Sequence, residues 1–168
     1  MALHAFVVMP FGIKDSGKDQ AIDFDSVYKE LIHPALESKG FEVFRADDAQ
    51  YAGAIRPEMF QELLLADLVV ADISIENANV WYELGVRHAL RKKDIVTVRR
   101  EGASIPFDVR PDRTISYPLS DSGRKVDKSS TAKEGASIFI PDPQRLEEAI
   151  KSMGSYSLKT TERWHGAV

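Results

Sequence analysis

No cysteine occurs among the 168 residues, so neither a disulfide framework nor thiol chemistry is open to this chain, a composition in keeping with the cytosol. Histidine is nearly as scarce. His4, His33, His88 and His165 are scattered, and no two fall at a spacing that sets two ligands on one helix face, so no metal site is expected. Excess basic charge is missing too: a net charge of −4 argues against nucleic acid as the main partner, which needs a basic face to neutralise phosphates. The clusters RKK (91–93) and RR (99–100) read as solvated helix and strand ends. No apolar run approaches the ~20 residues that cross a bilayer, so no membrane partner is expected. The start, MALHAFVVMPFG, carries no basic segment ahead of its apolar run and reads as a strand rather than a signal peptide. A cytoplasmic protein is the expectation.

What is present is an alternation of two periods. AFVVM (5–9) is a β-branched, apolar run, as in a strand buried on both faces of a parallel sheet. Phe24, Val27, Tyr28, Leu31 and Ala35 follow at helical spacing, with Asp23 or Asp25 as N-cap, Gly40 as the stop and Pro34 as an internal kink. FEVFRAD (41–47) is the second strand; Pro57 then opens a helix with Phe60, Leu63 and Leu64 inward. LVVADIS (68–74), NVWYELGVRHALRK (79–92) and DIVTVR (94–99) read as strand, helix and strand. TISYPL (114–119) gives a fifth strand. Strict βαβα order with short connections predicts a single α/β domain, a parallel sheet of about five strands with helices on both faces.

The remainder carries less signal. Residues 120–137, rich in Ser, Lys and Gly, read as a mobile loop, an insertion or a lid. Asp142 and Pro143 open a further helix with Leu146, Ala149, Ile150 and Met153 on one face. The domain is thus expected over 1–154, with 155–168 as a C-terminal tail or partner-binding strip.

One stretch invites a stronger claim. GIKDSGKD (12–19) matches the phosphate-binding pattern G-x-x-x-x-G-K-[ST] except at its last position, and LVVAD (68–72) looks like its magnesium-holding companion. A working P-loop starts its helix at the Lys and supplies a hydroxyl to the metal. Here Asp19 replaces the hydroxyl and the helical period begins only near Phe24. The stretch is therefore expected to be a flexible connection, with Lys14 and Lys18 as mobile point charges within reach of a substrate phosphate.

Ligands of open parallel sheets bind beyond the carboxyl ends of the strands. That edge gathers Pro10, Phe11 and Gly12 from the first strand, Arg45, Asp47 and Asp48 from the second, and Asp72, Ile73 and Ser74 from the third. The next helix adds Asn77 and Asn79 as caps, Trp81 as a flat ring for a base or sugar, and Glu83, a carboxylate suited to work on a sugar carbon. Two readings of Glu83 stand side by side, since Arg87 follows at i, i+4 and the two could form only a surface ion pair.

VVMPFG, FDSVYKELIHPALESKGF, ADLVVADIS and NANVWYELGVRHAL, taken together, resemble the TIR-like branch of the nucleoside 2-deoxyribosyltransferase-like superfamily over roughly residues 5–118. The resemblance implies a flavodoxin-like, Rossmann-like sheet and a chemistry that cleaves or exchanges N-glycosidic bonds of nucleosides, nucleotides or NAD. On this likeness Glu83 is the acting carboxylate and Asp72 the strand-end acid that contacts sugar hydroxyls. Pro10, Phe11, Gly12, Asp47, Ser74, Asn79 and Trp81 complete the expected substrate site. No cofactor is implied; NAD or another nucleotide is the substrate, a hydrolase in a bacterial defence setting the first expectation, and a homo-oligomer the form in which such enzymes are switched on. Val80-Trp81-Tyr82 stands where the deoxyribosyltransferases have a Gly-Thr pair, so a transferase is the second expectation. A nucleotide-sensing or assembly module without catalysis is the third.

Overall fold

The structure, a computed structural model, describes residues 3–46, 55–91, 94–104, 114–128 and 130–165, with side chains from 59 onward in the second segment and up to 155 in the last. Its centre is a five-stranded sheet of β1 (Leu3–Val8), β4 (Phe41–Arg45), β5 (Leu68–Asp72), β6 (Ile95–Arg100) and β7 (Thr114–Tyr117), in the order β4-β1-β5-β6-β7. Every pairing in it is parallel. Counted along the chain within this sheet the order is 2-1-3-4-5, the flavodoxin-like arrangement of a doubly wound domain.

Pleating sends alternate residues of β5 to opposite faces, and each face is closed by helices. Leu68 and Val70 join a core with the helical stretch Phe24–Glu37 and with Met153 of α5 (Leu146–His165); Val69 and Ala71 join a second core with Leu63 of α3 (Ile55–Leu65) and with Val80 and Leu84 of α4 (Ala78–Leu90). Along α3, Leu63 is fully buried and Phe60 partly so, whereas Leu64 is exposed. The inward stripe runs through Met59, Phe60, Leu63 and Ala66, which leaves the expected Leu64 one position outside it.

The first helical stretch is continuous but not uniform. Asp23 caps it by accepting from the Ser26 N–H at 3.1 Å. An α-helical turn, α1 (Phe24–Ser26), passes into a π-helical segment, Val27–Ile32, and then into α2 (His33–Glu37). Pro34 supplies the physical reason, because it has no N–H to give to the carbonyl four residues back. The ladder slips there by one residue, and the His33 N–H reaches Tyr28 O instead.

GIKDSGKD is neither a P-loop nor an unstructured connection. It forms β2 (Ile13–Gly17) and the turn of an antiparallel hairpin with β3 (Gln20–Asp23). Gly17 faces Gln20, and the two turn residues Lys18 and Asp19 have φ of 54° and 57°. Positive φ at both central positions is the mirror-image turn that suits the twist of a two-residue hairpin, although Asn and Gly are its preferred residues. Lys18→Asn is accordingly expected to stabilise the fold by roughly 0.5 kcal/mol in urea denaturation, since Asn tolerates this conformation better than Lys.

The hairpin belongs to a second sheet, ordered β2-β3-β9-β8, with β8 (Leu119–Lys125) and β9 (Ser137–Pro141). Of the stretch expected to be a loop over 120–137, residues 120–125 and 137 are therefore strand, while the described residues between them are not. Its sequence hides this because LSDSGRK lies at a sheet edge, where no buried face imposes alternation, and the ladder shifts register between Asp121 and Lys125 around Gly123 at φ +73°. The expected tail from 155 is likewise a continuation of α5 as far as His165.

Candidate functional site

The chain order reverses beside β1, which has β4 on one side and β5 on the other. The segments leaving β1 and β5 diverge there, opening the crevice in which such folds bind ligands. Of the β1 segment, Pro10 is buried and the Phe11 ring is 42 % exposed. Gly12 turns the chain at φ +63°, a conformation that favours glycine. Its N–H donates to Asp25 Oδ1 at 3.2 Å and its carbonyl accepts from Phe24 N at 3.1 Å, tying the loop to the start of the first helix. Asp47 lies outside the described residues.

Asp72 does not face this crevice. It is fully buried, with Oδ2 accepting from the Tyr117 hydroxyl at 2.6 Å and Oδ1 from the Ser74 N–H at 2.8 Å. Ser74, also buried, shares a hydrogen bond with Tyr117 at 2.9 Å and accepts from the Arg100 N–H at 2.7 Å. The expected sugar contact of Asp72 and substrate contact of Ser74 are thus corrected: both are inward-facing parts of a network that ties the ends of β5 and β7 together. Burial pushes the Asp72 carboxyl up to about 6 from 3.8, against the lowering effect of the Ser74 and Tyr117 hydrogen bonds. The folded state then holds a proton that the unfolded chain releases, so this group's contribution is fullest below pH 3.8 and is lost as pH rises through 6. Asp72→Asn, uncharged and able to keep an acceptor in the network, is expected to exceed wild type in stability by roughly 1–3 kcal/mol above pH 6. The gap should close near pH 4, as thermal melts across that range would measure.

Glu83 has a different environment. Asn77 starts α4 by accepting from the N–H groups of Asn79 and Val80 at 3.0 and 3.2 Å, which leaves Asn79 exposed in the first turn. Val80, Leu84 and Arg87 form the buried stripe of the helix, with Trp81 half-buried against the same core and Glu83 half-buried beside the stripe. The ion pair that the Glu83–Arg87 spacing permits is not made. Arg87 is fully buried and turns inward, donating to Leu63 O at 2.6 Å and Ala66 O at 3.1 Å. Among the described residues Glu83 has no hydrogen-bond or ion-pair partner, and burial alone pushes its carboxyl up to about 7 from 4.5. Such a group can give or take a proton near neutral pH.

Because α4 packs on one face of the sheet and the Asp72–Tyr117 network lies on the other, the two expected catalytic carboxylates do not form a pair. Phe11 and Gly12 do come together with groups that sequence reasoning did not assign to the site. They border a cavity of about 500 Å³ walled also by β2, by the start of the first helix and by Ser130 and Thr131. Glu83, Asn79, Trp81 and Ser74 do not line it. Lys14 is one of the two point charges expected near a substrate phosphate, but its convergence with Lys29 and residue 130 is hidden in the sequence because it depends on the second sheet, whose strands have no legible period.

Fold and site together define a flavodoxin-like α/β domain with an added four-stranded sheet and, on the helix after its central strand, a glutamate with no partner among the described residues. No family model matches the chain, and no curated protein matches it.

Proposed function

We propose that the protein is an N-glycosidase that cleaves the bond between base and ribose in NAD or another nucleotide, with Glu83 as the acting group. The observation that supports this is a half-buried carboxylate, without a hydrogen-bond or ion-pair partner among the described residues and pushed by burial up to about 7, in the second turn of the helix that follows β5. As the C1′–N bond breaks, its electron pair leaves with nitrogen; in NAD this neutralises the pyridinium and calls for no proton, while for other nucleotides protonated Glu83 gives its proton to the departing base. The ionised Glu83 carboxylate steadies the oxocarbenium-like sugar and takes the proton released when water adds at C1′. The resemblance to nucleoside-processing enzymes in the NANVWYELG stretch points to the same residue.

A binding module without catalysis is the second reading, favoured by the fact that Glu83 does not line the 500 Å³ cavity. Incubation of wild type and Glu83→Gln with NAD, nucleotides and deoxynucleosides, each with and without an acceptor base, separates the readings by chromatography of free base. Hydrolysis by wild type and a loss of roughly 10²–10⁴-fold in the variant is the expected result. Exchange only in the presence of an acceptor would make the protein a deoxyribosyltransferase. No release or exchange with any substrate, or full activity in Glu83→Gln, would overturn the enzymatic reading.

A further inference from the structure

The cavity beside Phe11 contains four charged side chains, and their pairing decides its character. Asp23 and Asp25 border it, but each is already compensated from outside the lining. Asp23 Oδ2 accepts from Arg124 at 3.0 Å, and its Oδ1 is used by the Ser26 N–H. Asp25 Oδ1 accepts from Arg45 at 3.0 Å as well as from the Gly12 N–H. Arg45 is buried, and its guanidinium lies 4.4 Å from the Tyr28 ring centroid, so it is fixed in place. The two cations that line the cavity are otherwise placed. Lys14 from β2 and Lys29 from the π-helical segment have no ion-pair partner among the described residues.

A wall with both acids neutralised and two lysines uncompensated is electropositive, and burial of a dianion there would satisfy both charges at once. The Ser26 and Thr131 side chains add hydroxyl donors. Phe11 offers an exposed ring on the same wall, backed by Arg45 5.8 Å from its centroid. A volume of about 500 Å³ lies inside the ~300–1,000 Å³ of small-molecule sites.

We propose that this cavity binds the phosphate groups of a nucleoside diphosphate or related phosphorylated aromatic molecule, through Lys14 and Lys29, with the base against Phe11. The site lies outside the P-loop arrangement that GIKDSGKD suggests: of its two lysines only Lys14 reaches the cavity, while Lys18 sits in the hairpin turn. It also stands apart from Glu83, so its occupancy does not depend on glycosidic cleavage.

Calorimetric titration at low salt with pyrophosphate, ADP and adenosine tests it, using wild type, the double variant Lys14→Gln/Lys29→Gln, Phe11→Ala and Lys18→Asn. Wild type should bind pyrophosphate and ADP, with adenosine at least tenfold weaker than ADP. The double variant should lose at least tenfold for both phosphates with an unchanged melting temperature, because neither lysine is part of the core. Phe11→Ala should weaken ADP and leave pyrophosphate unaffected, and Lys18→Asn, which removes the same charge outside the cavity, should bind as wild type does. Wild type that binds neither phosphate ligand, a double variant that binds both as tightly as wild type, or an equal loss in Lys18→Asn would overturn the proposal. Binding requires no turnover, so a chain that releases no base yet holds ADP through these lysines sinks the glycosidase reading and leaves this one standing.

Discussion

On the proposed glycosidase reading, Glu83→Gln is expected to release base roughly 10²–10⁴-fold more slowly and, at pH 8, to be more stable than wild type by up to about 3 kcal/mol. The sign follows from the direction of the shift. Burial raises the folded-state value from 4.5 to about 7, so the native protein favours the protonated form and is penalised once that proton leaves. The group's contribution is fully present below pH 4.5 and is lost as pH climbs through 7. Gln, with nearly the same shape and no charge, never incurs the penalty. Wild type and variant should therefore melt together near pH 4, separate as pH rises from 4.5 to 7 and keep a constant gap above that, with partial exposure of Glu83 holding the gap nearer 1 kcal/mol. Loss of base release together with this stabilisation is the outcome that the proposed glycosidase reading expects. A residue that served only as a surface ion pair would show the opposite sign, a small loss of stability at neutral pH.

The second large effect belongs to the residue that leaves Glu83 alone. Arg87→Met is expected to cost roughly 3–5 kcal/mol in urea denaturation, because it removes the donors from carbonyls buried at the end of α3. Leu63 is in the last turn of that helix, whose final carbonyls have no partner within the helix itself. A single guanidinium reaches Leu63 O, Ala66 O and, at 3.5 Å, Asp94 O, so it ties α3, the start of β5 and the approach to β6 together. Burial lowers the guanidinium only to about 10, which leaves it charged at any physiological pH. Arg87→Lys should recover little, since a point charge on a flexible stem cannot fork to these carbonyls. Should Arg87→Met unfold at the wild-type urea midpoint, the inward hydrogen bonds would carry no net stability.

The central sheet could be read from sequence because burial on both faces leaves continuous runs, as AFVVM and LVVAD show. The same runs say nothing about which face an end residue takes. Its place at a strand end points Asp72 to the crevice, whereas the pleat turns it toward Tyr117, more than forty positions away in sequence. Glu83 was open to two readings for a similar reason. Spacing along α4 allows the Arg87 pair, and only the carbonyls of α3 show why the guanidinium turns elsewhere. Polar edge strands such as LSDSGRK are held by backbone pairing to a distant partner and leave no pattern of their own.

The second sheet sets Gln20 opposite Ser137 and Ile22 opposite Phe139, so strands near the two ends of the chain lie side by side. Contacts of such separation carry the largest loop-closure entropy and form late, after the local βα units of the first half have assembled. The cavity walled by Phe11, Lys14 and Thr131 is expected to be completed at that step, since its lining joins the two regions. A ligand held there bridges the first and last parts of the chain to close, and its binding acts mainly on the rate of unfolding rather than on the rate of folding.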